Sequence, residues 1–222
     1  MHLVLFDIDG TLMDSGGAGL RSLNQAFDEL FSLKNAFQGI SMAGKTDTLI
    51  IKEGLMKHDI PPDGNLSAVA DAYIMHLQKE IDNDGKHIKP GVCETLEKLS
   101  IVKNVELGLL TGNLESGARI KLEAFSLNAY FPTGAFGSDD EDRNNLLPIA
   151  AKRFEELLGE KIEFDDCVVV GDTPRDVECA HIYGALCIGV ATGPYSFESL
   201  VEAGADLVVQ DLSDQDTLLN FF

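Results

Sequence analysis

Apolar residues recur along this chain with two different periods. Short unbroken runs at Leu3 to Phe6, Val105 to Leu110, Val168 to Val170, Leu186 to Val190 and Leu207 to Val209 have the length of strands buried on both faces. Between them, residues 91 to 100, 114 to 125, 143 to 158, 174 to 183 and 196 to 203 carry apolar positions at helical spacing. This alternation predicts an α/β fold: a Rossmann-like, doubly wound parallel sheet with helices on both faces, and with functional residues at the C-terminal ends of the strands.

Residues 16 to 86 break the alternation. Leu20 to Leu33, Thr48 to Lys57 and Leu66 to Ile81 read as helices, and no convincing strand lies among them. The segment therefore predicts an inserted α-helical cap, with residues 1–15 and 87–222 forming the α/β catalytic core. Ser15-Gly16-Gly17-Ala18-Gly19 and the stretch from Asn83-Asp84-Gly85 to Pro90-Gly91 suit hinges, because glycine absorbs large dihedral changes. Gln210 to Phe222 reads as a last short helix covering the sheet.

Charge narrows the class of partner. Across 222 residues the formal net charge is −20, which lacks the basic footprint that nucleic acid or an anionic membrane surface would require. A small molecule is the expected partner. If that molecule is phosphorylated, a divalent cation and one or two placed basic side chains must reverse the sign locally. The N-terminus runs from Met1-His2 directly into Leu3-Val4-Leu5-Phe6, too short for a signal segment or a membrane span. Cys93, Cys167, Cys179 and Cys187 have no C-x-x-C spacing, so reduced thiols and a cytoplasmic location are expected. Both a monomer and a homodimer are compatible with these features.

The chemistry-bearing residues sit at the ends of the predicted strands. Asp7 and Asp9 follow the first run two residues apart, a spacing that in extended backbone turns both carboxylates to one side. Like charges so close need a cation between them, and carboxylate oxygens suit a hard ion such as Mg²⁺. Thr111-Gly112-Asn113 ends the second run, where a hydroxyl and free amides opening a helix favour an anion, although the same triplet is also an ordinary turn. Arg143 follows the acidic stretch Ser138 to Asp142, a position unfavourable for a helix-start cation unless an anion needs it. Lys152 is its competitor, nine residues on and about 180° around one helix. Gly171-Asp172 ends a third run, and Thr173-Pro174-Arg175-Asp176 beyond it reads equally as a capping box with proline at the first helical position. The five histidines have no metal-ligand spacing, and neither a G-x-S-x-G elbow nor a phosphate-wrapping glycine loop is present.

Leu3 to Leu12 resembles the hhhDxDGTL signature of the haloacid dehalogenase-like hydrolases, and the later elements follow in that family's order along nearly the whole chain. The helical insertion after the first element is similar to the phosphoglycolate-phosphatase-like and phosphomutase-like branches. The resemblance implies that Asp7 is a nucleophile forming an aspartyl-phosphate and that Asp9 is the general acid and base. It implies Thr111 and Arg143 as stabilisers of the transferring group, with Gly10, Thr11, Gly112 and Asn113 beside the substrate. It also implies a Mg²⁺ site built from Asp7, the backbone carbonyl of Asp9, and Asp172, with Asp176 a further ligand or an acceptor orienting them. Gly44-Lys45-Thr46-Asp47 resembles a cap segment whose lysine reaches substrate, while Thr46 or Asp47 serves equally as a helix N-cap. Family dehalogenases lack an acid at the position of Asp9 and phosphonate hydrolases usually carry a small residue there, so a phosphate monoester of a small metabolite is the implied substrate. A sugar phosphomutase and a non-catalytic phospho-aspartate signalling module are the alternatives.

Overall fold

A computed structural model of the protein describes residues 1–221, so Phe222, the end of the predicted last helix, lies outside the described residues. Six strands form one all-parallel sheet in the order β5 (Gly134–Phe136), β4 (Val105–Thr111), β1 (His2–Phe6), β6 (Cys167–Gly171), β7 (Leu186–Val190) and β8 (Leu207–Val209). The N-terminal strand is therefore central, pairing Leu3 with Glu106 on one side and with Cys167 on the other. The chain builds outward from β1 through β4 to β5, then returns to the opposite side of β1 for β6. That reversal leaves a crevice at the C-terminal ends of the middle strands, where open α/β sheets bind ligands.

Side chains of β1 alternate between two apolar layers. Leu3 and Leu5 enter one with Leu110, Val169 and Phe154, whereas Val4 and Phe6 enter the other with Leu109, Val168 and Val170. The first layer is closed by α6 (Leu146–Leu158) and α7 (Pro174–His181), the second by α4 (Val92–Leu99) and α5 (Glu115–Glu123). Continuous apolar runs, rather than alternating ones, follow from this two-sided burial. Two shorter helices, α8 (Phe197–Glu202) and α9 (Gln215–Leu219), complete the cover.

Between the first and fourth strands the chain leaves the sheet. β2 (Met13–Ser15) pairs antiparallel with β3 (Lys86–Ile88), and α1 (Ala18–Phe31), α2 (Asp47–Lys57) and α3 (Leu66–Glu80) lie between them. The segments read as hinges thus contain a two-stranded ribbon, in which Asp14 faces His87 and Ser15 faces Lys86. Phe27 and Phe37 meet edge to face with centroids 4.7 Å apart inside the insertion, and its apolar residues join the second layer of the core. Among the described residues, no helix is long and apolar enough to cross a membrane.

Two sequence expectations change here. Gly134–Phe136 is a strand, although its three residues carry no apolar run long enough to be read as one. Arg143 does not begin α6: it lies in a 3₁₀ turn, Arg143–Asn145, and the helix starts at Leu146. The angular argument against Lys152 therefore lapses. Burial decides instead, since Arg143 is buried while Lys152 is exposed on α6.

Gly108 in β4 has a specific packing role: a Cβ there would stand 2.5 Å from the Phe154 ring and 2.9 Å from Leu5. Gly108→Ala should destabilise the protein by about 1–3 kcal/mol, the usual cost of overfilling a close-packed interior, as measured by chemical denaturation.

Candidate active site

The strand ends of β1, β4 and β6 converge on a cavity of about 480 Å³, within the range of small-molecule sites. Asp7 and Asp172 line its core side; Gly44, Lys45, Asp47 and Tyr73 line the side formed by the insertion. Each carboxylate is placed by local structure. β1 ends at Phe6, and Asp7 continues it with its N–H on the Val170 carbonyl at 2.9 Å. Asp172 follows the last residue of β6, and Asp176 sits one turn into α7.

Asp7, Asp172 and Asp176 are all buried, and one oxygen from each lies within 4.8 Å of the others. Burial, opposed by Arg143 and reinforced by Asp176, pushes Asp7 up to about 6. Burial, with Asp176 and Asp7 as neighbours, pushes Asp172 up to about 8. A set of carboxylates this short of positive charge fits a hard divalent ion, which favours their ionised form. Asp176 is the most committed of the three. Its Oδ2 accepts from the Thr173 N–H at 2.9 Å and from Thr173 Oγ1 at 2.8 Å, and its Oδ1 accepts from Arg143. The capping box and the acidic cluster therefore share one residue, and Asp176 is better suited to orient the others than to coordinate fully.

Arg143 supplies the cation inside the cluster. Its Nη2 lies 3.3 Å from Asp7 Oδ2 and also bonds Asp176. Burial works against the guanidinium charge, but Asp176 and Asp7 more than offset it and raise its pKa further. Its Nε–H finds no acceptor among the described residues, so the group retains a donor.

Asp9 departs from the sequence expectation. The chain turns after Asp7, with the Thr11 and Leu12 N–H groups returning to the Ile8 carbonyl, so the Asp9 carboxylate lines the same cavity as that of Asp7 without joining the cluster. Asp9 Oδ2 instead accepts from Lys121 Nζ at 2.6 Å and from Asn113 Nδ2 at 2.8 Å. Thr111 and Thr11 also lie deeper than expected. Thr111 is fully buried with its hydroxyl near enough to Asp7 to favour the carboxylate, while Thr11 Oγ1 donates to Asp172 Oδ1 at 3.1 Å. Neither hydroxyl forms the cavity wall, whereas Gly10, Gly112 and Asn113 do.

The insertion touches the site directly. The Asp47 N–H donates to the Gly112 carbonyl at 2.6 Å, and the Leu114 N–H donates to Asp47 Oδ2 at 2.9 Å. Gly112 permits this approach, since a Cβ there would lie 2.1 Å from the Lys45 carbonyl oxygen. Thr46 caps α2, its side chain accepting from the Leu49 N–H and donating to the Glu141 carbonyl at 2.7 Å. Lys45 lines the cavity as expected, but its Nζ is held by both oxygens of Glu53, at 2.7 and 2.6 Å.

Sequence reading missed Lys121, Asp47 and Tyr73 as members of the site. The available signal for Lys121 was its place on the apolar face of α5 beside Ala118 and Leu122, an expensive position for an unpaired ammonium. Asp47 was noted only as a possible helix cap. Burial raises it to about 6 against the opposing charge of Lys121.

With this geometry in place, comparison with known proteins is informative. The model of the haloacid dehalogenase-like hydrolases matches residues 4–190. The chain belongs to that family. A phosphoglycolate phosphatase of Rhodospirillum rubrum is 28% identical over 225 residues, covering 98% of this chain and 90% of the relative. One from Agrobacterium fabrum is 24% identical, covering 95% and 89%. These matches put the chain among the family's phosphoric monoester hydrolases, in its phosphoglycolate-phosphatase-like branch. The structure of CbbY from Rhodobacter sphaeroides in complex with phosphate shares the fold, with a TM-score of 0.76 at 16% identity and 96% coverage of both chains.

The raised carboxyls have a consequence for stability. Asp7 and Asp172 hold protons more tightly folded than at their ordinary value of 3.8, so without a divalent ion stability should fall as pH rises from about 4 to about 8. A hard divalent ion, which favours both groups deprotonated, should oppose the fall, adding about 2.7 kcal/mol at one hundred times its Kd. Thermal unfolding with EDTA and with a saturating divalent ion between about pH 5 and pH 8 should show a gap that widens with pH; a gap independent of pH would contradict this cluster as the metal site.

Proposed function

We propose that this protein is a Mg²⁺-dependent phosphatase that hydrolyses a small phosphate monoester through an aspartyl-phosphate on Asp7, with residues 16–86 acting as a cap over the site. The observation that carries this reading is the buried Asp7 carboxylate, shared between Arg143 and the acidic cluster, at the floor of a cavity lined from both the sheet and the insertion. Asp7, Asp172 and the backbone carbonyl of Asp9 would hold Mg²⁺, with Asp176 orienting them. The ion, when bound, supplies positive charge for the phosphoryl oxygens.

An oxygen of Asp7 bonds to phosphorus as the ester P–O bond breaks, and a proton on Asp9 passes to the leaving oxygen. Water then attacks the same phosphorus, Asp9 takes its proton, and the bond to Asp7 breaks to release phosphate. Arg143 offsets charge on the transferring group, while Thr111 holds Asp7 and the Gly112-Asn113 turn faces the phosphoryl oxygens. Five carboxylates (Asp7, Asp9, Asp14, Asp47 and Asp172) line the cavity against four basic side chains (Lys45, Lys89, Lys121 and Arg143). A divalent ion turns that formal balance from negative to positive, which accounts for an acidic protein accepting an anionic ester. The phosphoglycolate phosphatases among its relatives favour a short carboxylated ester.

Asp7→Asn should abolish turnover, by on the order of 10⁴-fold or more, while native circular dichroism persists. Phosphate release from a panel of small esters, with Mg²⁺ and with EDTA, checks metal, nucleophile and reaction class together. A phosphomutase would instead show bisphosphate activation without net release, and a signalling module would retain its phosphoryl group. Lys45→Ala should raise KM about tenfold for the preferred ester and change kcat little, as befits one charge-assisted contact made from the cap. Equal losses in kcat for every ester would place Lys45 in the chemistry instead.

A further inference from the structure

Lys121 is a buried lysine that none of the motif segments contains. Two of its N–H groups are committed to protein acceptors: Asp9 Oδ2 at 2.6 Å and Asn113 Oδ1 at 2.5 Å. Asn113 completes a closed arrangement by donating to the same Asp9 oxygen at 2.8 Å and to Thr111 Oγ1 at 2.9 Å. Both donors thus converge on Oδ2, and Oδ1 of Asp9 accepts no hydrogen bond from the described residues. Asp47 and Tyr73 lie close by. Asp47 adds to the charge stabilisation of the ammonium, the Tyr73 hydroxyl stands near enough to Asp47 to favour its charged form, and Gly19 neighbours both that hydroxyl and Lys121 Nζ.

The Asp9 side chain is 42% exposed, on a turn just beyond the strand, so packing alone does not fix its rotamer. The Lys121 side chain is 5% exposed, on a helix, and anchored from two sides. We infer that Lys121 is a positioning residue for Asp9: together with Asn113 it pins Oδ2, leaving Oδ1 turned to the ester oxygen and then to the attacking water. This inference rests on the reading of Asp9 as acid and base. Misplacement of such a group by about 1 Å can cost on the order of 100-fold in rate.

The consequence is a dependence on the leaving group. An alkyl phosphate needs its departing oxygen protonated, whereas p-nitrophenyl phosphate releases a stabilised phenolate and needs Asp9 less in the first step. With the full chain and Mg²⁺, Lys121→Met should lower single-turnover phosphorylation of Asp7 by an alkyl phosphate about 100-fold, and by p-nitrophenyl phosphate less than about tenfold. KM for both should stay within about threefold of the parent. Lys121→Gln, which can still donate to Oδ2, should fall between the parent and Lys121→Met; should Lys121→Met not fold, the aryl-to-alkyl ratio of Lys121→Gln decides alone. Asp9→Asn in parallel separates the two ideas. An equal loss for both esters in Asp9→Asn would remove the acid role and the inference with it. A split in Asp9→Asn with none in the Lys121 variants, or a Lys121 effect confined to KM, would overturn the positioning role alone.

Discussion

Everything in this molecule is arranged around the cost of burying carboxylates where two adjacent central strands, β1 and β6, end. Asp7, Asp172 and Asp176 are taken out of water within a few ångströms of one another, and one guanidinium is placed among them. Such a group cannot be fully ionised on protein charges alone, which is why Asp7 and Asp172 titrate so far above their ordinary range. The sheet makes the arrangement possible. Only a strand with neighbours on both sides and apolar layers on both faces holds its terminal residue firmly enough to keep like charges together. β1 is that strand, between β4 and β6.

A division of labour between the two acids of the first motif follows from where the strand stops. Asp7 still belongs to the sheet, through its N–H on Val170, and faces the cluster. Asp9 is past a change of direction and faces Lys121 and Asn113 instead. Two residues of identical chemistry thus enter opposite environments, one dry and crowded with negative charge, the other half open and neutralised by an ammonium. Separation of environments is what lets paired carboxyls take different parts in one reaction.

The parts of this arrangement visible in the sequence were those written in consecutive residues. Five of the six parallel strands announced themselves as apolar runs, because two-sided burial leaves no polar alternation, and β7 and β8 run from Leu186 and Leu207 as read. β5 did not, since Gly134-Ala135-Phe136 between Pro132 and Gly137 has the composition of a loop and is a strand only because β4 offers it an edge. Asp7, Asp172 and Arg143 were legible because each ends or follows a recognisable segment. Lys121 was not. Its meaning depends on α5 turning one face toward Asp9, and that pairing joins residues more than a hundred positions apart. Tyr73 was hidden for the same reason, as an aromatic on the apolar face of α3 whose hydroxyl finds Asp47 only after the helices pack.

The antiparallel ribbon of Met13–Ser15 and Lys86–Ile88 has an implication beyond the site it adjoins. It brings the two points where the chain leaves and rejoins the sheet side by side, so seventy-odd residues are tied off at a single neck. The register of the six strands is then indifferent to what lies past that neck. Lineages could lengthen, shorten or exchange the excursion without re-threading the sheet, and diversification of what is recognised could proceed while the machinery beneath stayed constant.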